Sequence, residues 1–392
     1  MTIAIIGAGL GGLTLARILQ INSIPVTIYE REPTSSSRNQ GGSLDLHGDS
    51  GQHALSIAGL TAQFRKLVRP ESEGTKIVGK DAQITYADEE SGPEGNDRPE
   101  IDRGQLRDLL LDSLTPGTVK WGYNLSKCEI VGEKVKLTFT EPAEIIEVDV
   151  VVGADGTWSR VRPVLTPTLP EYTGVTFIDI QLSDVDGTNA EIGKLIGPGT
   201  LCALDDNKGL MAQRNSGGKA RVYIALRVPL SFTQESAIPS LVAEQDYHQI
   251  QRLLLSDFAD WHPSLQKLIT KCDIHESTWA LRPIYSFPAE NSWETNGHVT
   301  ILGDAAHVMC PFAGEGANLA MLDAAELAEA IVKAKGTDLK DTFKEFEKKM
   351  LERSAIFTVE SLQNQNLFIS EHGAKAAGDL MKELMARGPP PQ

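Results

Sequence analysis

Residues 2–30 read TIAIIGAGLGGLTLARILQINSIPVTIYE, and this stretch decides the fold. TIAII (2–6) is a run of aliphatic and β-branched residues without polar alternation, the pattern of a strand buried on both faces. A glycine turn, GAGLGG (7–12), follows at once. Leu13, Ala16, Leu19 and Ile21 then recur at helical spacing, and PVTIYE (25–30) is a second strand ending in an acid. This is a strand–helix–strand unit of the size expected for a parallel sheet. Each glycine of Gly7-x-Gly9-x-x-Gly12 has its own task. Gly7 makes the tight turn, Gly9 lets a pyrophosphate approach the backbone, and Gly12 lets the helix pack closely on the strand. The helix N-terminus offers free N–H groups and the positive end of its dipole to phosphates. Glu30, 18 residues past Gly12, can accept hydrogen bonds from both hydroxyls of an adenosine ribose. The pattern predicts dinucleotide binding, with a glycine-rich turn between core elements as the plain alternative. It does not choose between FAD and NAD(P).

Two later stretches share this character. VDVVVGADG (148–156) is a buried strand ending in Gly-Ala-Asp-Gly. In TILGDAAHVMCPFAGEGANLAM (300–321), a buried strand ends in Gly303, Asp304 follows, and small residues clear the start of a helix. Between these strands the pattern changes. TYADEESGPEGNDRP (85–99) is an exposed excursion or hairpin loop, EIDRGQLRDLLLDSL (100–114) an amphipathic helix with a capping Asp or its neighbour at the start, and 173–230 alternates as antiparallel strands such as TFIDIQL and ARVYIALRV. Residues 240–272, 317–335 and 338–387 are helical in pattern, and RGPPPQ ends the chain as a disordered tail. The expected architecture is α/β, a Rossmann-like domain with an inserted, mostly antiparallel sheet and a long C-terminal helix. The first domain takes 1–72, 101–172 and 275–325. The inserted domain takes 73–100 and 173–274, the helical segment 326–387 and the tail 388–392.

The chain has 392 residues, 41% hydrophobic and 23% charged, so composition points to an ordinary globular protein. A net charge of −16 argues against nucleic acid, which is bound through basic patches. Apolar runs stop short of the roughly 20 residues that span a bilayer, and no signal peptide opens the chain. Cys128, Cys202, Cys272 and Cys310 are scattered, giving neither a zinc site nor a disulfide framework, so reduced thiols in a cytoplasmic protein are expected. No metal site is predicted.

GADGTWSRVR (153–162) and GDAAHVMCPFAGEGAN (303–318) resemble the Asp-Gly and Gly-Asp motifs of class A flavoprotein aromatic hydroxylases, the para-hydroxybenzoate hydroxylase family. GGSLDLH (41–47), with YEREP before it and PEIDRGQLR (99–107) after it, looks like the tetracycline-inactivating monooxygenases of that family. The resemblance implies a GR2-type FAD-binding domain holding FAD non-covalently, with NADPH or NADH as a transient co-substrate. It implies that Gly7, Gly9, Gly12, Glu30, Arg31, Asp45, Arg103, Asp155 and Asp304 contact the cofactor, Asp304 by accepting from the ribityl chain. The backbone of Gly314, Gly316, Ala317 and Asn318 would meet the pyrimidine edge, where reduced flavin is negative. Arg38 would meet NADPH, and Gln181, Phe312 and Gly314 the substrate. The bland alternatives are a helix cap for Asp304, a turn residue for Asp45, solvated charges for Arg38 and Arg103, and an exposed strand residue for Gln181. His307 packs near the flavin without acid–base duty, and nothing in the spacing makes His47 a covalent attachment point.

The implied reaction is hydroxylation of an electron-rich aromatic, enolic or polyketide-like molecule by O2, through a flavin C4a-hydroperoxide. A monomer is expected. Alternatives are tetracycline inactivation proper, another flavin reaction or a non-catalytic flavin protein. The Trp-x-Trp-x-Ile-Pro segment of flavin halogenases is absent. The polar sheet residues that hold tetracycline in the nearest group align near Thr200 and Val222, with Arg221 beside them as partial compensation.

Overall fold

A computed structural model describes residues 1–37, 41–69, 72, 74–88, 98–334 and 338–387. Arg38, part of the loop at 85–99 and the tail at 388–392 lie outside the described residues. The chain divides into two compact units.

The first unit comprises Met1–Val68, Arg103–Glu171 and Tyr285–Ser361. Its main sheet is parallel, in the order Val299–Ile301, Val150–Gly153, Ile3–Ile6, Val26–Glu30, Val119–Trp121. The two buried strands at 150 and 300 therefore lie beside the glycine-turn strand. Gly153 is in register with both Ile6 and Ile301, so the three strands end together. Their carboxyl ends carry Gly7, Asp155 and Asp304, and ligands of open α/β sheets bind outside such ends. The helix Leu10–Ile21 packs closely on the helix Gly316–Ala334 at Gly11. A Cβ on Gly11 would lie 2.9 Å from the Ala320 carbonyl oxygen. An antiparallel ribbon of Asn124–Val131, Lys134–Glu141 and Glu144–Val148 completes this unit. Its Phe139 packs on Tyr29 and Tyr123, with ring centroids 5.1 and 5.2 Å away.

The second unit comprises Arg69–Asp102, Tyr172–Ile284 and the residues from Leu362 onward. A seven-stranded, mostly antiparallel sheet dominates it. One face, with Ile178, Ile180, Val222, Ile224, Leu210 and Ala212, forms an apolar core with Ile250, Leu254, Phe258, Leu265 and Leu268. The residues between them in sequence point to the opposite face, as the period of two requires.

Two details differ from the sequence reading. Glu100–Asp102 is a strand, and the helix begins at Arg103. The Asp102 carboxylate, just before it, pairs with Arg69 at 2.8 Å and accepts from Asn215 at 3.0 Å and from Ser216. From residue 316 onward the described helices are Gly316–Ala334, Lys340–Phe368 and Gly373–Arg387, and the division between the units falls inside the second of these, after Ser361.

Candidate functional site

Gly7 sits at φ +104°, a left-handed conformation that favours glycine, and a Cβ there would lie 2.3 Å from the Ala154 carbonyl oxygen. A Cβ on Gly12 would lie 2.2 Å from the Gly7 carbonyl oxygen, so the helix closes on the turn. A Cβ on Gly9 meets nothing within 4 Å: the turn is open outward at the helix N-cap. The Glu30 carboxylate accepts from the Ala8 N–H at 2.7 Å and the Glu32 N–H at 3.0 Å, which fixes it beside the turn. A polar pocket of about 60 Å³ gathers Ala8, Gly9, Leu10, Glu30, Glu32, Arg103 and Arg107. Arg103 is exposed on its rim side, and Arg31 is exposed just past the strand. Arg107, one helical turn beyond Arg103, is buried. It donates to the carbonyls of Ala8 at 3.2 Å and Ser35 at 2.8 Å, with its guanidinium over Trp121. The sequence reading missed it, although i,i+4 spacing from Arg103 places both on one helix face.

Asp155 closes the turn after its strand. Its Oδ2 accepts from the Arg160 N–H at 2.7 Å, while Oδ1 is buried without a protein partner. Burial pushes its pKa up. Asp304 opens the short helix Asp304–His307 and is exposed; Gly303 at φ +57° is the N-cap, so Asp304 is not. Behind it lies a buried charge network that the sequence did not reveal. Asp323 accepts from the Gly303 N–H at 3.2 Å, from His307 Nε2 at 2.6 Å and from Arg353 at 2.8 Å. Arg353 also grips Glu326 with two bonds of 2.9 Å. Burial alone would lower the His307 pKa, but Asp323 and Asp304 raise it; burial alone would raise the Asp323 pKa, but His307 and Arg353 lower it.

Asp45 and Gly314 adjoin, a Cβ on Gly314 lying 3.6 Å from Asp45 Oδ1. Asn318 is fully buried, and its amide is used internally. It donates to the Asp45 carbonyl at 2.9 Å and accepts from the His47 N–H at 3.0 Å. A cofactor contact through that side chain is therefore ruled out, and only the backbone remains for it. Phe312 is half-buried between the Gly-Asp helix and this turn.

In the second unit Gln181 pairs with Arg221, Arg221 with Gln213 and Gln213 with Thr200, so these four share one face of the sheet. Val222 pairs with Ile180 and is wholly inside the core, so it does not share the face of Gln181. Arg221 does not compensate either. It is buried, with Nε and Nη2 both on the buried Asp179 carboxylate, and Arg282 stands 3.3 Å from the same carboxylate.

The chain matches the FAD binding domain family over residues 1–355. It belongs to the class A flavin monooxygenases of that family. The monooxygenase is 31% identical over 372 residues to "Monooxygenase penA" of Penicillium thymicola, covering 84% of each protein. It is 28% identical over 365 residues to 6-hydroxynicotinate 3-monooxygenase of Bordetella bronchiseptica, covering 90% of this chain and 88% of that protein. In fold it is similar to Klebsiella pneumoniae HpxO complexed with FAD and uric acid (TM-score 0.78, 19% identity, 98% of this chain and 92% of that one). It is also similar to the tetracycline destructase Tet(55), with a TM-score of 0.73, 17% identity, and 98% and 94% of the two chains covered.

The residues present fit FAD. The turn is open at Gly9, the carboxylates of Glu30 and Asp304 accept only, and Asp155 keeps a buried oxygen without a protein donor. A larger concavity, about 590 Å³, opens at the other ends of the strands around Pro25, Thr27 and Thr118, but no titratable side chain lines it. Asp304→Ala removes an acceptor without touching the core. FAD affinity is expected to fall about 10- to 100-fold, the equivalent of about 1.5–3 kcal/mol for a charge-assisted bond. Fluorescence titration of apo-protein checks this, and wild-type affinity would assign Asp304 to the surface.

Proposed function

We propose that this monooxygenase takes reducing equivalents from NADPH or NADH and hydroxylates an electron-rich aromatic or enolic small molecule. The observation that carries the reading is the convergence of the Gly7–Gly12 turn, Asp155 and Asp304 at the ends of three adjacent parallel strands. FAD, when bound, supplies the redox chemistry that activates O2.

The chain's residues supply position and charge. Gly9 and the helix N-terminus receive the pyrophosphate, and Glu30 the adenosine ribose, with Arg31 and Arg103 beside them. Asp304 accepts from the ribityl hydroxyls. Backbone N–H groups from Gly314 to Asn318 would hold the pyrimidine edge, with the helix dipole there favouring negative charge. Arg38 is assigned to NADPH by its place in the motif alone. Gln181, Phe312 and Gly314 are assigned to the substrate. The names of relatives, 6-hydroxynicotinate 3-monooxygenase and kynurenine 3-monooxygenase among them, support an aromatic ring as the target.

The test uses purified protein. It is expected to be yellow with one FAD per chain, and to oxidise NADPH faster when an accepted phenol or enol is present, with product mass raised by one oxygen. Colourless protein that takes up no added FAD overturns the reading. Tetracycline is expected to be a poor substrate. Two hydrogen bonds of roughly 1–3 kcal/mol each are missing where Thr200 and the buried Val222 stand, and Arg221, engaged with Asp179, does not replace them, which predicts affinity weaker by about 10²- to 10⁴-fold. Tight, well-coupled tetracycline turnover would reverse that assignment.

A further inference from the structure

His47 is buried between two carboxylates. Its Nε2 lies 2.9 Å from Asp45 Oδ2 and its Nδ1 3.1 Å from Glu315 Oε1. An ionised carboxylate only accepts, so both ring nitrogens must carry protons for both contacts to be hydrogen bonds. The geometry alone therefore calls for an imidazolium. Burial works against that charge, but the bonds to Asp45 and Glu315 prevail and lift the pKa to about 9.

Glu315 directly precedes Gly316, where the long helix begins. The positive end of that helix is what this turn offers to a negative ligand. A free carboxylate at that point would cancel it. Two links hold the turn to the segment 45–47. One is neutral, through the Asn318 amide. The other is charged, through His47. The charged groups facing the imidazole are Asp45 on its own segment and Glu315 across from it. With His47 charged the three side chains sum to −1; with it neutral they sum to −2.

We propose that His47 is a positioning residue for the turn that would meet the flavin: clamped between Asp45 and Glu315, it holds Glu315 in place and offsets the charge of the two carboxylates beside that turn. The proposal rests on the flavin reading above. The clamp is intact at neutral pH and is lost as pH rises through about 9.

The experiment measures FAD binding to apo-protein by fluorescence from pH 6 to 10, for wild type, His47→Gln, Glu315→Gln and the double variant, with thermal melts of each apo-protein alongside. Wild type is expected to bind evenly to pH 8 and to weaken in a step near pH 9. His47→Gln is expected to bind about 10- to 100-fold more weakly at pH 7, as for loss of a charge-assisted bond, and to lack that step. The double variant is expected to regain part of the loss, because the uncompensated Glu315 carboxylate is gone. A purely structural histidine gives no such rescue. Wild-type affinity in a folded His47→Gln, or the same step persisting in it, overturns the proposal. Imidazole proton signals of the apo-protein give a readout independent of FAD. A His47 titration midpoint near the ordinary 6.5 overturns the clamp, and one near 9 that falls in Glu315→Gln supports it. Wild type that binds no FAD fails the flavin reading and is thereby told apart from failure of the clamp.

Discussion

Asp323→Ala is expected to lower the free energy of unfolding by about 3–5 kcal/mol, the range for removing one partner of a buried ion pair. The carboxylate holds three donors at once: the Gly303 N–H, His307 and Arg353. Arg353 keeps Glu326, so its own loss is partial. Among the described residues, His307 Nε2 and the Gly303 N–H have no second side-chain acceptor to turn to. The loss reaches the cofactor side because Gly303, at φ +57°, sets where Asp304 stands. Weaker FAD binding should therefore accompany the lower melting temperature. The effect depends on pH with a worked sign. The raised pKa of His307 gives stability that is full below its unfolded value of 6.5 and is lost as pH rises through the raised folded value. The lowered pKa of Asp323 gives stability that is present above its unfolded value of 3.8 and is lost as pH falls through the lowered folded value. The difference between wild type and variant should be largest between about pH 4 and 6.5 and shrink on either side. Chemical denaturation at several pH values checks it. A difference below about 1 kcal/mol at pH 5.5 would mean that the network contributes little to the fold.

How much of this was legible in sequence follows from the range of the interactions. The glycine turn was legible because its demands are local: a positive φ at Gly7 and no room beyond hydrogen at Gly12 are written in residue type and spacing. The three strand ends were legible because unbroken apolar runs ending in Gly or Asp mark strands covered on both faces. The ribbon at 124–148 was missed, since its two outer strands carry little apolar alternation and its pairing with neighbours is what makes it a sheet. The buried charges were missed for a different reason. Asp323 and Arg353 are 30 residues apart on different helices, and Asp179 and Arg221 are 42 apart on paired strands. In sequence each looks like a solvated charge; only tertiary packing buries Asp323, Asp179 and Arg221 and half-buries Arg353. His47 stood within a recognised motif, yet its partner Glu315 lies 268 positions away, by 315 − 47.

Asp179→Ala is expected to destabilise the protein more than Arg221→Ala, although the two side chains form one ion pair. Both are buried, and Arg282 lies beside them at 3.3 Å from Asp179 and half-exposed. Removing Arg221 leaves Asp179 with a second cation already in place, so the remaining charge is partly compensated. Removing Asp179 leaves Arg221 buried without its anion and with Arg282 as a like charge next to it. Breaking a buried pair by deleting one partner typically costs about 3–5 kcal/mol, and the argument puts Arg221→Ala at the lower end and Asp179→Ala at the upper. Replacing both by apolar residues of similar volume, Asp179→Leu with Arg221→Met, removes the charges together and should recover most of the loss, because the face then needs no compensation. Urea unfolding of the three variants decides the order. The same series separates stability from recognition. If Arg221 serves only to satisfy Asp179, the double variant keeps its KM for whichever aromatic or enolic substrate the wild type accepts. A raised KM with normal stability would instead place the Arg221–Asp179 pair against the substrate, on the sheet face it shares with Gln181.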